Sequence, residues 1–184
     1  LSGVETLSSA LVNYIATEIE VNWLPATRTL GDINKGLSEV RIAEYQHVSA
    51  STPKEMETLT QAVAEKIQWV MDEQKVYEPL IVLDEEKRLY DRFCQRWETY
   101  RTENQKIITE SANDRKQEAL LLLRSRSQEL FGEMNDLLYQ LIDLNEEGGI
   151  ATSQRGDSIF ALSSVQIVGL GVFALVVGII ICIF

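Results

Sequence analysis

Apolar side chains recur every three or four residues along four long stretches of this chain, and no apolar–polar alternation lasts more than a few residues. The first seam begins at Leu30, Ile33, Leu37 and Val40. Its register continues through Glu44, His47 and Ser51, so an apolar stripe turns polar toward its end. Pro25 lies upstream and predicts a kink, because it removes a backbone donor and crowds the preceding turn. Thr52-Pro53-Lys54-Glu55 combines a cap residue, a first-turn proline and a Glu at the third helical position, which marks a new helix start. Met56, Leu59, Val63, Ile67 and Val70 form the stripe of that second helix, and Pro79 ends it. Asp84 is expected to cap a third helix, with the seam Tyr90, Phe93, Trp97, Tyr100, Asn104 and Ile107. Beyond a loop at Ser111 to Asp114, the fourth carries Leu120, Leu123, Ser127, Leu130, Met134, Leu137, Leu141 and Leu144, with Ser127 its one polar member.

Seams of this period and short connections predict an all-α fold, an up-down-up-down four-helix bundle with helices at about 1–51, 53–78, 84–110 and 113–157. A transmembrane helix is expected to follow at 159–184. Every charged residue lies at or before Asp157, and from residue 167 onward the chain is wholly apolar or Gly. At about 1.5 Å per residue, some 20 such residues cross a hydrocarbon core of roughly 30 Å. Gly148, Gly149 and Gly156 precede this run and are expected to soften the joining helix. The absence of an initiator Met or a signal-peptide pattern, and an apolar end with no basic cluster, point to a segment of a longer protein.

The 28 acidic and 17 basic residues give a net charge of −11, which argues against a nucleic-acid partner. Cys94 and Cys182 fall on opposite sides of the solvent boundary and cannot pair, so Cys94 reads as a small buried hydrophobe. No P-loop, GxGxxG, GxSxG, HExxH or CxxC occurs, and His47 has no neighbour at metal-ligand spacing. We therefore expect no enzymatic activity, no cofactor and no metal.

Antiparallel helix order brings one group of residues to a common height. Arg41, Tyr100, Arg101 and Arg124 each lie about ten residues from the distal loops, roughly 15 Å below that pole. Tyr45 sits one turn above Arg41, and Glu44, Asn104 and Ser127 fall near the same level. Guanidinium groups beside tyrosine hydroxyls suit capture of carboxylates, so Arg41, Tyr45, Tyr100, Arg101 and Arg124 are the candidate ligand-binding residues. The alternative is that these arginines are exposed partners of the many acids around them, or that Glu44 and neighbouring acids take the place of a ligand. Arg88, Arg92 and Arg96 fall in surface-like registers.

Asn22-Trp23-Leu24-Pro25, then Leu30, Asn34 and VRIAEYQHV (40–48), resemble the four-helix-bundle sensor of bacterial methyl-accepting chemotaxis proteins. RFCQRWETYR (92–101) and the Leu-rich fourth helix ending in Asn145 are similar to the same family. The resemblance implies a homodimeric periplasmic domain on the bacterial inner membrane, which binds a small molecule and moves a second membrane helix. Aspartate-type members use several arginines of the first helix at the dimer interface, where this chain offers only Arg41 between Arg28 and the end of that helix. Relatives that take di- or tricarboxylates or aromatic acids fit better, so a small organic acid, foremost a di- or tricarboxylate, is the expected ligand. The same bundle also serves sensor histidine kinases and cyclases, and a membrane-anchored protein-interaction bundle remains a structural alternative.

Overall fold

The computed structural model describes the backbone of residues 2–183 and the side chains of residues 10–158. It is helical throughout, with no strand among the described residues. The elements are α1 (Ser2–Glu18), a π-helical turn (Ile19–Trp23), α2 (Leu24–Ser49), α3 (Pro53–Tyr77) and a 3-10 turn (Glu78–Leu80). They continue with α4 (Asp84–Ala112), α5 (Lys116–Arg124) and α6 (Arg126–Ile183).

Two compact units are present: Pro25–Asn145, and Leu1–Leu24 with Glu146–Phe184. In the first unit, α2, α3, α4 and the run of α5 into α6 supply the four helical rods. Their seams meet as the three-four spacing predicts. Leu30, Ile33, Leu37 and Val40 pack with Val70, Tyr77, Phe93, Trp97, Tyr100, Leu130, Met134 and Leu141 in one core. A second, smaller cluster joins Val48, Ile107, Ala119 and Leu123. Each fully buried side chain of this size contributes about 1.5–3 kcal/mol. Ser51 leaves the seam and is exposed, because α2 ends at Ser49.

Within the second unit, Trp23 is buried against the backbone of α6, where a Cβ on Gly148 would stand 2.4 Å from the indole. Ile15 lies over Gly156 in the same manner, with 3.3 Å to the place of the missing Cβ. The expected irregularity at Pro25 takes the form of the π turn before it. Leu24 donates its N–H to Ile19 O, five residues back, which widens the helix just ahead of the proline ring.

Helix α3 begins as predicted: Thr52 accepts from Glu55 N at 3.2 Å with Pro53 in the first turn, while the Glu55 carboxylate takes Ser51 N at 3.0 Å. The start of α4 differs from expectation. The cap position is Leu83, with Asp84 inside the first turn, and the loose backbone amides are taken by Glu86 instead. Its Oε2 accepts from Val82 N (3.0 Å) and Leu83 N (3.3 Å), and its Oε1 from Tyr77 OH (2.7 Å) and Asn145 Nδ2 (2.9 Å). A carboxylate that both caps a helix and closes a buried cluster displaces a solvated one from that task. At the other end of α4, Asp114 adopts a left-handed backbone (φ 62°). Arg115 N bonds Glu110 O and Asp114 N bonds Ser111 O, the paired bonds that close a helix when the next residue turns left-handed.

The predicted single helix over 113–157 is a second difference: it is two helices, interrupted at Ser125 (φ −106°, ψ −104°). The Ser125 hydroxyl donates back to Leu121 O at 2.8 Å, a local bond that competes with helix continuation. The seam steps from Leu123 to Ser127 across the interruption, so periodicity alone does not reveal it. Among the described residues no helix is long and apolar enough to cross a membrane. The run 159–184, to which the sequence assigns the span, lies outside the residues whose side chains are described.

Candidate functional site

Between the two apolar clusters of the bundle lies a layer of buried polar side chains. Arg41 and Glu44 come from α2, Tyr100 and Asn104 from α4, and Ser127 from the first turn of α6; all five are buried. Their common height follows from the antiparallel order, as the sequence predicts. Glu44 is the centre. It accepts from Tyr100 OH (2.7 Å) and Asn104 Nδ2 (2.6 Å), with Arg41 Nη1 at 3.4 Å. Burial pushes its carboxyl above the ordinary range, and the Asn104, Tyr100 and Arg41 donors pull against that rise. Tyr100 is held well above its usual pKa by burial and then by the adjacent Glu44 carboxylate.

Both terminal nitrogens of Arg41 are engaged within the Pro25–Asn145 unit. Nη1 donates to Ser127 Oγ at 2.6 Å, while Nη2 donates to Leu123 O (2.6 Å) and Gln128 Oε1 (2.8 Å). Its guanidinium also lies over the rings of Tyr45 (5.2 Å) and Phe131 (5.7 Å). Leu123 lies in the last turn of α5, and Ser127 and Gln128 in the first turn of α6, so one guanidinium spans both sides of the interruption at Ser125. An interrupted helix leaves its last carbonyls without amide partners, and Arg41 supplies a donor to one of them.

The five candidate residues therefore share a level but not a site. Arg41, Tyr45 and Tyr100 come together. Arg124 is exposed on α5, one residue before the interruption, and does not enter the layer. Arg101 turns to the other side of α4, where its Nη1 donates to Glu98 Oε2 at 3.0 Å. Helix geometry accounts for the separation: adjacent positions such as Tyr100 and Arg101 diverge by about 100° around the axis. Arg88 and Arg96 are surface residues paired with Glu85 and Glu133.

Arg101 lies on the wall of a groove between α3 and α4, about 580 Å³ in volume. Thr60, Ala64, Thr102 and Thr109 are small and leave the groove unfilled, while Val63, Ile67, Met71 and Ile108 supply apolar surface. Asn104 belongs to both places: it borders the groove and donates to Glu44 in the layer. The groove was missed from sequence because its residues alternate between seam and flank. Small residues facing each other on two helices, Thr60 and Ala64 on α3 and Thr102 and Thr109 on α4, beside Arg101 are the signal that marks it.

Near the distal loops, His47 is buried, with Nδ1 2.9 Å from Ser111 Oγ and Nε2 2.9 Å from Thr60 Oγ1. Lys116 Nζ donates to His47 O and to Ser111 Oγ. Burial, and then the Lys116 charge, lower the His47 pKa. Cys94 is half-buried beside the core, and burial raises its thiol pKa. Among the described residues no group of His, Cys, Asp and Glu comes together to hold a metal.

The described residues thus form a bundle with a buried polar layer and a lateral groove. Comparison with known proteins gives that bundle a family. The family described as a four helix bundle sensory module for signal transduction matches residues 1–160. A protein of Bacillus subtilis (strain 168) named as a sensory transducer protein, YvaQ, is 22% identical over 161 residues, which are 87% of this chain and 28% of that protein. The chain thus spans 28% of the length of the curated relative it matches. With the family match covering residues 1–160 and so the whole of the Pro25–Asn145 bundle, the chain belongs to the four-helix-bundle sensory modules of methyl-accepting chemotaxis-type signal transducers.

Proposed function

We propose that this chain is the extracytoplasmic sensing module of a homodimeric membrane chemotaxis transducer, binding a small organic acid and passing the signal through a membrane helix at 159–184. The observation that carries the reading is the Arg41 layer in a bundle of this family. A buried guanidinium is tied to both ends of a helix interruption, and the helix beyond that interruption, α6, runs on to Ile183. A packed rod with no interruption has one arrangement. A rod divided at Ser125 and held by side-chain hydrogen bonds has an element that binding can bias. Organic acids suit the available cations, Arg101 in the groove and Arg124 on the surface, through bidentate guanidinium–carboxylate pairing.

The reading is tested by thermal shift of the purified chain against mono-, di- and tricarboxylates. A carboxylate at 100 times its Kd stabilises by about 2.7 kcal/mol, which for a chain of this length raises Tm by roughly 5–10 °C. Sedimentation in the same solutions should show a dimer that tightens with the acid. A flat response to every carboxylate, with unchanged association, would remove the organic-acid reading.

A further inference from the structure

The groove between α3 and α4 has the makings of a ligand site separate from the Arg41 layer. We infer that it binds a small monocarboxylate with an apolar body, which deepens the sensing role proposed above and rests on it.

Size is the first observation. About 580 Å³ falls within the range of small-molecule sites, and Val63, Ile67 and Met71 of α3 give it an apolar wall that Ile108 of α4 faces. Such a wall takes an apolar body and leaves no partner for a highly charged one.

The second observation is Arg101. Its side chain retains 35% of its exposure, while Glu98, its partner, retains 70%. An i, i+3 pair so open to water holds the guanidinium weakly. Among the described residues only Nη1 of Arg101 is hydrogen-bonded, so Nε and Nη2 present a second fork edge to an incoming carboxylate.

Charge decides the class. Arg101 and Glu98 are the charged residues of this groove, one of each sign. One carboxylate replaces or joins Glu98 on the guanidinium. A second or third carboxylate would lie beside Glu98 and the apolar wall with no cation to meet it, and like charges so placed repel. A mono-anion is therefore selected over di- and tricarboxylates.

The groove also has a route inward. Asn104 borders it and donates to Glu44 at 2.6 Å, and Glu44 meets Arg41, which holds the two ends of the Ser125 interruption. A ligand that moves the Asn104 amide disturbs the layer directly.

The test uses the full chain with benzoate, benzamide, succinate and citrate as probes, read by saturation-transfer NMR and by thermal shift. Benzoate should bind, benzamide at least tenfold more weakly, and succinate and citrate more weakly than benzoate. Arg101→Gln should weaken benzoate tenfold or more, and Ala64→Phe, which fills the groove, should abolish its binding. Arg88→Gln, on the exposed face of α4, should leave it unchanged; circular dichroism establishes that each variant is folded. Benzoate binding that survives both Arg101→Gln and Ala64→Phe within threefold overturns the assignment. Succinate or citrate binding that ignores those two variants also overturns it, yet leaves the chain as an organic-acid sensor with its site elsewhere. Absence of binding by all the carboxylates at about 10 mM overturns the groove site and the organic-acid reading together.

Discussion

Removing the Arg41 guanidinium leaves Glu44 buried with only the neutral donors Tyr100 and Asn104, and leaves Ser127 Oγ and Leu123 O without their partner. Breaking one side of a buried pair typically costs about 3–5 kcal/mol, so Arg41→Ala should lower Tm by roughly 10 °C. The double change Arg41→Met with Glu44→Leu should recover most of that loss, because it removes both charges. Recovery of less than a third would mean that the layer specifies packing beyond its own charge balance. The same residues make a pH prediction. Burial holds the Glu44 carboxyl above its ordinary 4.5, so the folded state binds that proton more tightly than the unfolded chain does. The stability this contributes is complete below the unfolded pKa and is lost as pH rises through the folded one. In melts from about pH 4 upward, the parent should therefore lose stability relative to Glu44→Gln. A parent that instead gains stability relative to Glu44→Gln as pH rises would show that Arg41 outweighs burial. These seam positions were legible in the sequence as polar intrusions at Glu44, Asn104 and Ser127; that they satisfy one another was not, because hydrogen-bond direction depends on side-chain rotamers.

At the scale of helices, two glycines separate packing from propensity. A Cβ on Gly36 would stand 2.5 Å from Val70 Cγ2 and 3.0 Å from the Trp69 ring, whereas a Cβ on Gly132 meets nothing within 4 Å. Gly to Ala in a helix interior gains about 1 kcal/mol from propensity, and overpacking a close helix contact loses about 1–3. Gly132→Ala should therefore raise Tm by roughly 2–4 °C, and Gly36→Ala should leave it unchanged or lower it. A rise for both, in calorimetry, would mean that α2 and α3 separate at no cost. The interruption at Ser125 belongs to this scale too. The Leu-rich seam runs through it without a missed beat, so sequence periodicity predicted one helix. Backbone dihedrals at one outward-facing residue made it two. The cap of α4 moved from Asp84 to Leu83 for a related reason: Glu86 can reach the free amides and also Tyr77 and Asn145, and only the folded chain puts those partners within reach.

For the whole molecule, the boundary at Asp157 divides a charged portion from a charge-free one. The full chain should partition into phospholipid vesicles and resist extraction by carbonate, while residues 1–157 should remain in the aqueous phase with a helical circular-dichroism spectrum. Carbonate extraction of the full chain would argue against a spanning helix, and substantial strand signal from 1–157 would argue against the bundle.

Hydropathy period and charge distribution determined the fold class, the four seams and the expected membrane boundary, since burial of apolar side chains at a spacing of three and four admits few alternatives to packed helices. The capping box at Thr52 was equally legible, because it is built from neighbours in sequence. Tertiary structure decided which polar seam residues meet, that Arg41 points inward onto Glu44 and across the Ser125 interruption, and that Arg101 and Arg124 diverge from it. A helical register places a residue at a height and on a face. The direction of a long guanidinium side chain, and the identity of the group that satisfies it, follow only from what the neighbouring helices present.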